Sequence, residues 1–279
     1  MLMTEPTDPE AAGHGYYVYG ITDGTPQGLA PGVGPGAPVE LLVSGDLVAI
    51  VSPVPLSVFT PEAVRAGQND NDLVWIEAQV RAHQAVLARA MRQATVVPLR
   101  FGTVFRDAAG VRAMVLEHAS RFRQALTRLV GRQEWGLKIG VDEASLAVQI
   151  IATSARIKDI DARQRGLSSG AAYMLTKQRE QILREEVARA IETCVRDAHA
   201  RLVAEAVATV IDGTAPAAAP SEARPVFRCA YLVDVSNLET FLATLDCLAA
   251  THPAFAFTLS GPWPAYSFVN SPVEEHTHA

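Results

Sequence analysis

From about Gly170 to Ile211 the chain keeps a helical pattern, with Glu180/Arg184, Glu185/Arg189 and Glu192/Arg196 standing as i,i+4 pairs in the favourable order. A helix that long projects beyond a single domain or carries a break. Length bounds the organisation around it: 279 residues exceed what one core usually organises, so two domains are expected.

Strand and helix signals are mixed on both sides of that helix. "YYVYGIT" (16–22) reads as a strand, and "VELLV" and "LVAIV" flank "SGD" as a hairpin. Between them "DGTPQGLAPGVGPGAP" (23–38) is a Gly/Pro loop, too poor in side chains to pack. From Asn71 to Gln93, Leu73, Ile76, Val80, Leu87 and Met91 fall at helical spacing. In "VVPLRFGTVF" (96–105) Val97, Leu99 and Phe101 alternate as in a strand, and Pro98, lacking an amide donor, favours an edge or a strand start. A second helix is expected from about Asp107 to Val130, with Val111, Val115, Phe122 and Leu126 on one face and Gly131 as its stop.

The second half opens with the strand "EWGLKIGVD". Residues 143–160 suit a strand through Leu146, Val148 and Ile150, or a broken helix through Leu146, Ile150, Ile157 and Ile160; helix is the expectation. "DGTAPAAAPSEARP" (212–225) reads as a flexible connection. Then follow the strand "CAYLVDV", a helix from Asn237 to about Ala250, and the strand "FAFTLSG", with Phe255, Phe257 and Leu259 on one face. The expected class is α+β in both halves. The boundaries are a disordered extension at 1–15, domains at 16–133 and 134–269, and a disordered tail at 270–279.

Charge and composition exclude several functions. A net charge of −6 gives no basic footprint for nucleic acid. The acidic, proline-bearing start has no apolar run of a signal peptide, and no window approaches the ~18 apolar residues of a membrane helix. Three cysteines without a C-x-x-C fit free thiols in a reducing cytosol.

No motif assembles a catalytic, metal or cofactor site. "GLSSG" (166–170) matches a nucleophile elbow at Ser168, but the charged "KDIDARQR" before it is unfit for the buried strand an elbow requires; a loop capping the long helix is the expectation. "GVGPG" (32–36) precedes a strand instead of a helix, so it is no phosphate loop. His83 and His118 lie on apolar helix faces, as core histidines hydrogen-bonded to backbone do. His276 and His278 belong to the tail. Arg100 points away from Leu99 and Phe101, either as a solvated structural cation or as a docking contact.

The end of the chain, "GPWPAYSFV" (261–269), concentrates three large rings on a proline-stiffened stub, in a chain whose aromatic content is only 6%. Leaving a strand with an inward apolar face, Trp263 is expected to be mostly buried, closing the C-terminal core or the domain junction with its indole N–H hydrogen-bonded. Partner contact is the second possibility.

"YYVYGI", "VVPLRFGTVF" and "GPWPAYSFV", in that order, resemble the gas vesicle protein family GvpL/GvpF, with weaker matches at "GAAYMLTKQRE" (170–180) and "CAYLVDV" (229–235). The resemblance runs from Tyr16 to Val269. It implies two α+β domains, the C-terminal one ferredoxin-like, and a non-enzymatic accessory protein of gas vesicles, cytoplasmic and vesicle-associated. Its implied partners are the hydrophobic shell protein and other accessory proteins; no nucleic acid, membrane or cofactor is implied. The motif residues for core or partner contact are Pro98, Leu99, Arg100, Phe101, Gly102, Trp263, Pro264, Tyr266 and Phe268. Ala265 departs from the family, which often has a proline there. A small-effector-binding regulatory module without catalysis is the other functional class.

Overall fold

The computed structural model describes residues 13–34, 37–56, 70–164, 168–212 and 223–269. Residues 1–12, 213–222 and 270–279, which hold most of the expected extension, connection and tail, lie outside the described residues. His14 and Gly15 already belong to the first strand, two residues before the expected start.

The described residues form two compact units. One comprises the residues up to Gln133 together with the stretch from Trp263; the other runs from Glu134 to Pro262. The terminal aromatic stub thus belongs with the first unit, where the expected boundaries put it in the second.

In the first unit, β1 (His14–Thr22) is central. It pairs antiparallel with β3 (Leu47–Pro55), which pairs with β2 (Glu40–Ser44), and on its other side with β4 (Val96–Pro98) and β5 (Val104–Phe105). The single expected strand over 96–105 is therefore two short ones. Gly20 faces Pro98 while Tyr17 faces Val104, so the two residues of β1 between these pairs are matched by five, Leu99 to Thr103, on the other side. The surplus forms a turn in which Gly102 takes φ 83°, a left-handed conformation that glycine adopts without strain.

Helix α1 (Asp70–Met91) packs across the sheet. Its buried face is Gln79, His83, Val86, Leu87 and Ala90, while Val80, expected on the apolar stripe, is 36% exposed. Two polar residues hold the inward positions, so a pattern read from apolar residues alone is rotated. The expected helix over 107–130 is two, α2 (Ala108–Glu117) and α3 (Ala119–Leu129), joined at His118. Asp107 caps α2 by accepting the Gly110 N–H at 2.6 Å.

The Gly/Pro loop does pack. Val33 is fully buried, its N–H donates to the Tyr19 hydroxyl at 2.7 Å, and Gly34 N–H donates to Gln79 Oε1 at 2.6 Å. A Cβ on Gly32 would lie 2.5 Å from the Tyr19 oxygen, so only glycine lets the loop pass this close.

The second unit runs β6 (Arg132–Val141), α4 (Glu143–Thr153), α5 (Ala155–Arg163), α6 (Ser169–Val203), β7 (Ala208–Ile211), β8 (Arg224–Asp234), α7 (Leu238–Thr251) and β9 (Phe255–Trp263). Its sheet order is β7-β8-β6-β9. Counted from β6, this is the 2-3-1-4 order of the βαββαβ, ferredoxin-like arrangement. Residues 143–163 are the broken helix, interrupted at Ser154, whose extended backbone ends α4 and whose hydroxyl caps α5 at Ile157 N–H.

Helix α6 spans 35 residues, about 52 Å. It stops at Val203, short of the expected Ile211, because "ATVI" is β7, pairing Ala208 to Ile211 with Leu232 to Cys229. Of the expected ion pairs, Glu192–Arg196 lies at 3.6 Å. Glu180 instead takes Lys177 at 2.8 Å, and Glu185 takes Arg156 at 3.5 Å.

The core of this unit packs Leu137, Ile139, Tyr231, Phe241, Leu248 and Phe255 against the buried side of α6. All three cysteines are free, and burial pushes the Cys194 and Cys229 thiols up to about 11. Among the described residues no helix is long and apolar enough to cross a membrane.

Candidate functional site

Strand alternation places Tyr17 and Tyr19 on one face of β1, both fully buried, with ring centroids 5.0 Å apart. Each buried hydroxyl needs a partner. Tyr19 donates to Ser52 Oγ at 2.9 Å, and Ser52 donates to the Pro38 carbonyl at 2.7 Å. The Tyr17 hydroxyl accepts the Gly102 N–H at 3.1 Å and lies 2.9 Å from His83 Nδ1. His83 Nε2 lies 2.6 Å from the Tyr266 hydroxyl. Phe101 stands edge-on to Tyr17 at 6.1 Å and to His83 at 5.9 Å.

These contacts tie six stretches of the first unit, at Tyr17/Tyr19, Pro38, Ser52, His83, Phe101/Gly102 and Tyr266, into one knot. Burial pulls the His83 pKa down to about 4, so the ring is neutral near pH 7. A neutral imidazole has one donor and one acceptor, so one tyrosine donates a hydrogen bond to the ring and the other accepts one from it. With both nitrogens engaged and only 1% of the residue exposed, His83 holds the core together and has no open position for a substrate. It is the core histidine expected from its position, but its partners are two phenols, not backbone. Burial likewise raises the pKa of Tyr17 and Tyr19.

The motif residues divide between this knot and the surface. Phe101, Gly102 and Tyr266 enter the knot. Pro98 and Pro264 are buried, and Phe268 is fully so. Leu99 is half-buried and Arg100 exposed. Trp263 is 44% exposed, against the expectation that it closes a core. Core closure by the stub falls instead to Ala265, Phe268 and Tyr266, and in the first unit. The stub turns at Pro264, whose carbonyl accepts the Tyr266 N–H at 2.7 Å, and this sends the next rings inward while Trp263 stays on the strand end.

Periodicity did not single out Tyr17, Tyr19, Ser52 or Gln79 as joining residues. The available signal was two hydroxyl-bearing rings alternating on one strand face, which demands buried partners.

Beside the knot, in the same unit, lies an open cleft of about 320 Å³. One wall is β4 with the turn after it, from Val97 to Arg100; the other is α2 and α3, through Met114, His118 and Phe122. Val269, from α8 (Tyr266–Val269), also lines it. The lining carries two guanidiniums, Arg100 and Arg121, and no carboxylate. A second cleft, about 410 Å³, lies in the other unit beside α6, where Glu186 and Arg189 join Leu146 and Phe255.

Among the described residues no group of histidine, cysteine and carboxylate side chains could hold a metal. Ser168 occupies the N-cap position of α6, and the nearest described element before it is helix α5, not the strand that a nucleophile elbow requires.

Comparison with known proteins matches this arrangement to one family. The chain is 33% identical over 273 residues to gas vesicle protein L of Streptomyces sp. (strain CB03234), covering 94% of this chain and 95% of that protein. It is 28% identical over 258 residues to gas vesicle protein F of the same strain, covering 91% and 98%. The crystal structure of gas vesicle protein GvpF from Anabaena sp. PCC7120 shares the fold with a TM-score of 0.66 at 17% identity, over 92% of this chain and 98% of that one. That of GvpF from Microcystis aeruginosa does so with a TM-score of 0.62 at 16% identity, over 92% and 99%. Residues 15–270 match the family described as gas vesicle synthesis protein GvpL/GvpF, and the chain belongs to that family.

Proposed function

We propose that this protein acts in gas vesicle assembly as a non-catalytic accessory factor, holding an apolar segment of the shell protein before it joins the wall or seeding the first ring. The physical need is plain: a subunit that turns an apolar face to gas aggregates in water unless that face is covered. The observation that carries the reading is the open, mostly apolar cleft of the first unit, lined in part by residues 97–100 of the stretch that carries the resemblance. A rigid, preformed apolar surface loses little entropy on contact.

The experiment is deletion of the gene in a vesicle-forming host, with the shell protein followed by pull-down on this chain and by washing of purified vesicles. The reading expects loss of intact vesicles and recovery of shell protein on the bait. Normal vesicle yield without the chain would overturn it.

A further inference from the structure

The cleft beside β4 has an apolar floor and a rim of one charge sign, in a chain whose net charge is −6. Arg100 and Arg121 are exposed, and neither pairs with a carboxylate among the described residues. That contrasts with Arg123, two residues on, which is held by Asp46 through bonds of 2.8 and 2.7 Å. Unpaired cations beside an apolar lining are a recognition pattern for an amphipathic partner.

Two features select the partner's backbone. The strand bordering the cleft, β4, is three residues long, ends at Pro98, which has no N–H to donate, and is packed by α8. Strand addition therefore has no ladder to extend, and an incoming segment must satisfy its own backbone bonds. A helix does so. The two arginines stand on different walls, Arg100 on the turn after β4 and Arg121 on α3, which suits carboxylates spaced along a chain better than a single head group. A volume of about 320 Å³ takes a few apolar side chains from one helix face.

We infer that this cleft docks an amphipathic helix of another gas vesicle component, its apolar face on Leu99, Met114 and Phe122 and its carboxylates on Arg100 and Arg121. The inference rests on the assembly reading and names its docking surface.

The test uses the full chain in a vesicle-forming host, with a photo-crosslinking amino acid at Met114 and the cross-linked peptide mapped by mass spectrometry. The expected product joins Met114 to an apolar, carboxylate-bearing helical segment of a gas vesicle protein. The double reversal Arg100→Glu/Arg121→Glu should reduce that product at least about tenfold, with unchanged thermal unfolding, and raised salt should weaken the wild-type product. A cross-link only to residues 270–279 of the same chain, to a second copy, or to a lipid-like small molecule overturns the inference, as does no cross-link. So does a well-folded double reversal that cross-links normally. Loss of vesicles on gene deletion combined with normal vesicles in the double reversal would leave the assembly reading standing and remove the cleft from it.

Discussion

The two units solve the problem of a folded core in different ways. The second packs apolar side chains of a ferredoxin-like sheet against the buried side of one long helix. The first buries hydroxyls, an imidazole and a carboxamide beside its aliphatic residues, and connects them through hydrogen bonds between segments as distant as Tyr17 and Tyr266. An apolar core tolerates volume-conserving exchange. A polar knot is less tolerant, because losing one member leaves another buried without a partner. The stretches 16–21, 96–105 and 263–269, taken from those on which the sequence resemblance rests, all contribute to the polar core of the first unit. Their residue identities are thus explained by hydrogen bonding as much as by burial.

The largest expected effect that sharpens this contrast is at Phe268. Its truncation to alanine should cost about 3–5 kcal/mol, as for other large buried aromatics, whereas Trp263→Ala, at an exposed strand end, should cost ~1 kcal/mol. Chemical denaturation of the two variants reads the difference; a reversed order would return the core role to Trp263.

Acid should act next most strongly, on the first unit. His83 is neutral in the fold with a pKa of about 4, against 6.5 for an ordinary histidine. Between those values the unfolded chain binds the extra proton, so stability falls as pH falls from about 6.5 to 4, by about 3 kcal/mol in total. His83→Gln should flatten that part of the stability profile, and a profile unchanged by the substitution would remove His83 as its source.

Tyr266→Phe keeps the ring and deletes one hydroxyl, leaving His83 Nε2 without its phenol. A loss of about 1–3 kcal/mol is expected, and a neutral substitution would mean that water replaces the phenol. The smallest effect is at Ser168: Ser168→Ala should leave vesicle formation intact, while loss of vesicles with preserved folding would reopen a catalytic role.

The same contrast explains what the sequence made legible. In the second unit, strand alternation at Phe255, Phe257 and Leu259 and the long helix were readable, since each is a local period set by burial on one side. The missed element there, β7, follows α6 so closely that its β-branched "ATVI" merges with the helical pattern; pairing with β8 decides it. In the first unit the errors come from non-local partners. Apolar spacing alone puts Val80 inside, yet the polar Gln79 is the buried residue and bonds the Gly34 amide. The Gly/Pro loop has few side chains of its own, and its anchor, the Tyr19 hydroxyl, lies outside it on β1, so its packing is not legible locally. Trp263 was the obvious ring to bury, but the turn at Pro264 hands that role to the residues after it.

His83 is a neutral, doubly hydrogen-bonded brace between the first strand and the C-terminal stub. Nitrogen-detected NMR of the His83 ring in the intact chain, followed from pH 7.5 downward, tests it most directly. One tautomer, a ring N–H protected from exchange, and no titration until about pH 4 are expected. A ring that titrates near 6.5 as a mixture of tautomers would contradict it.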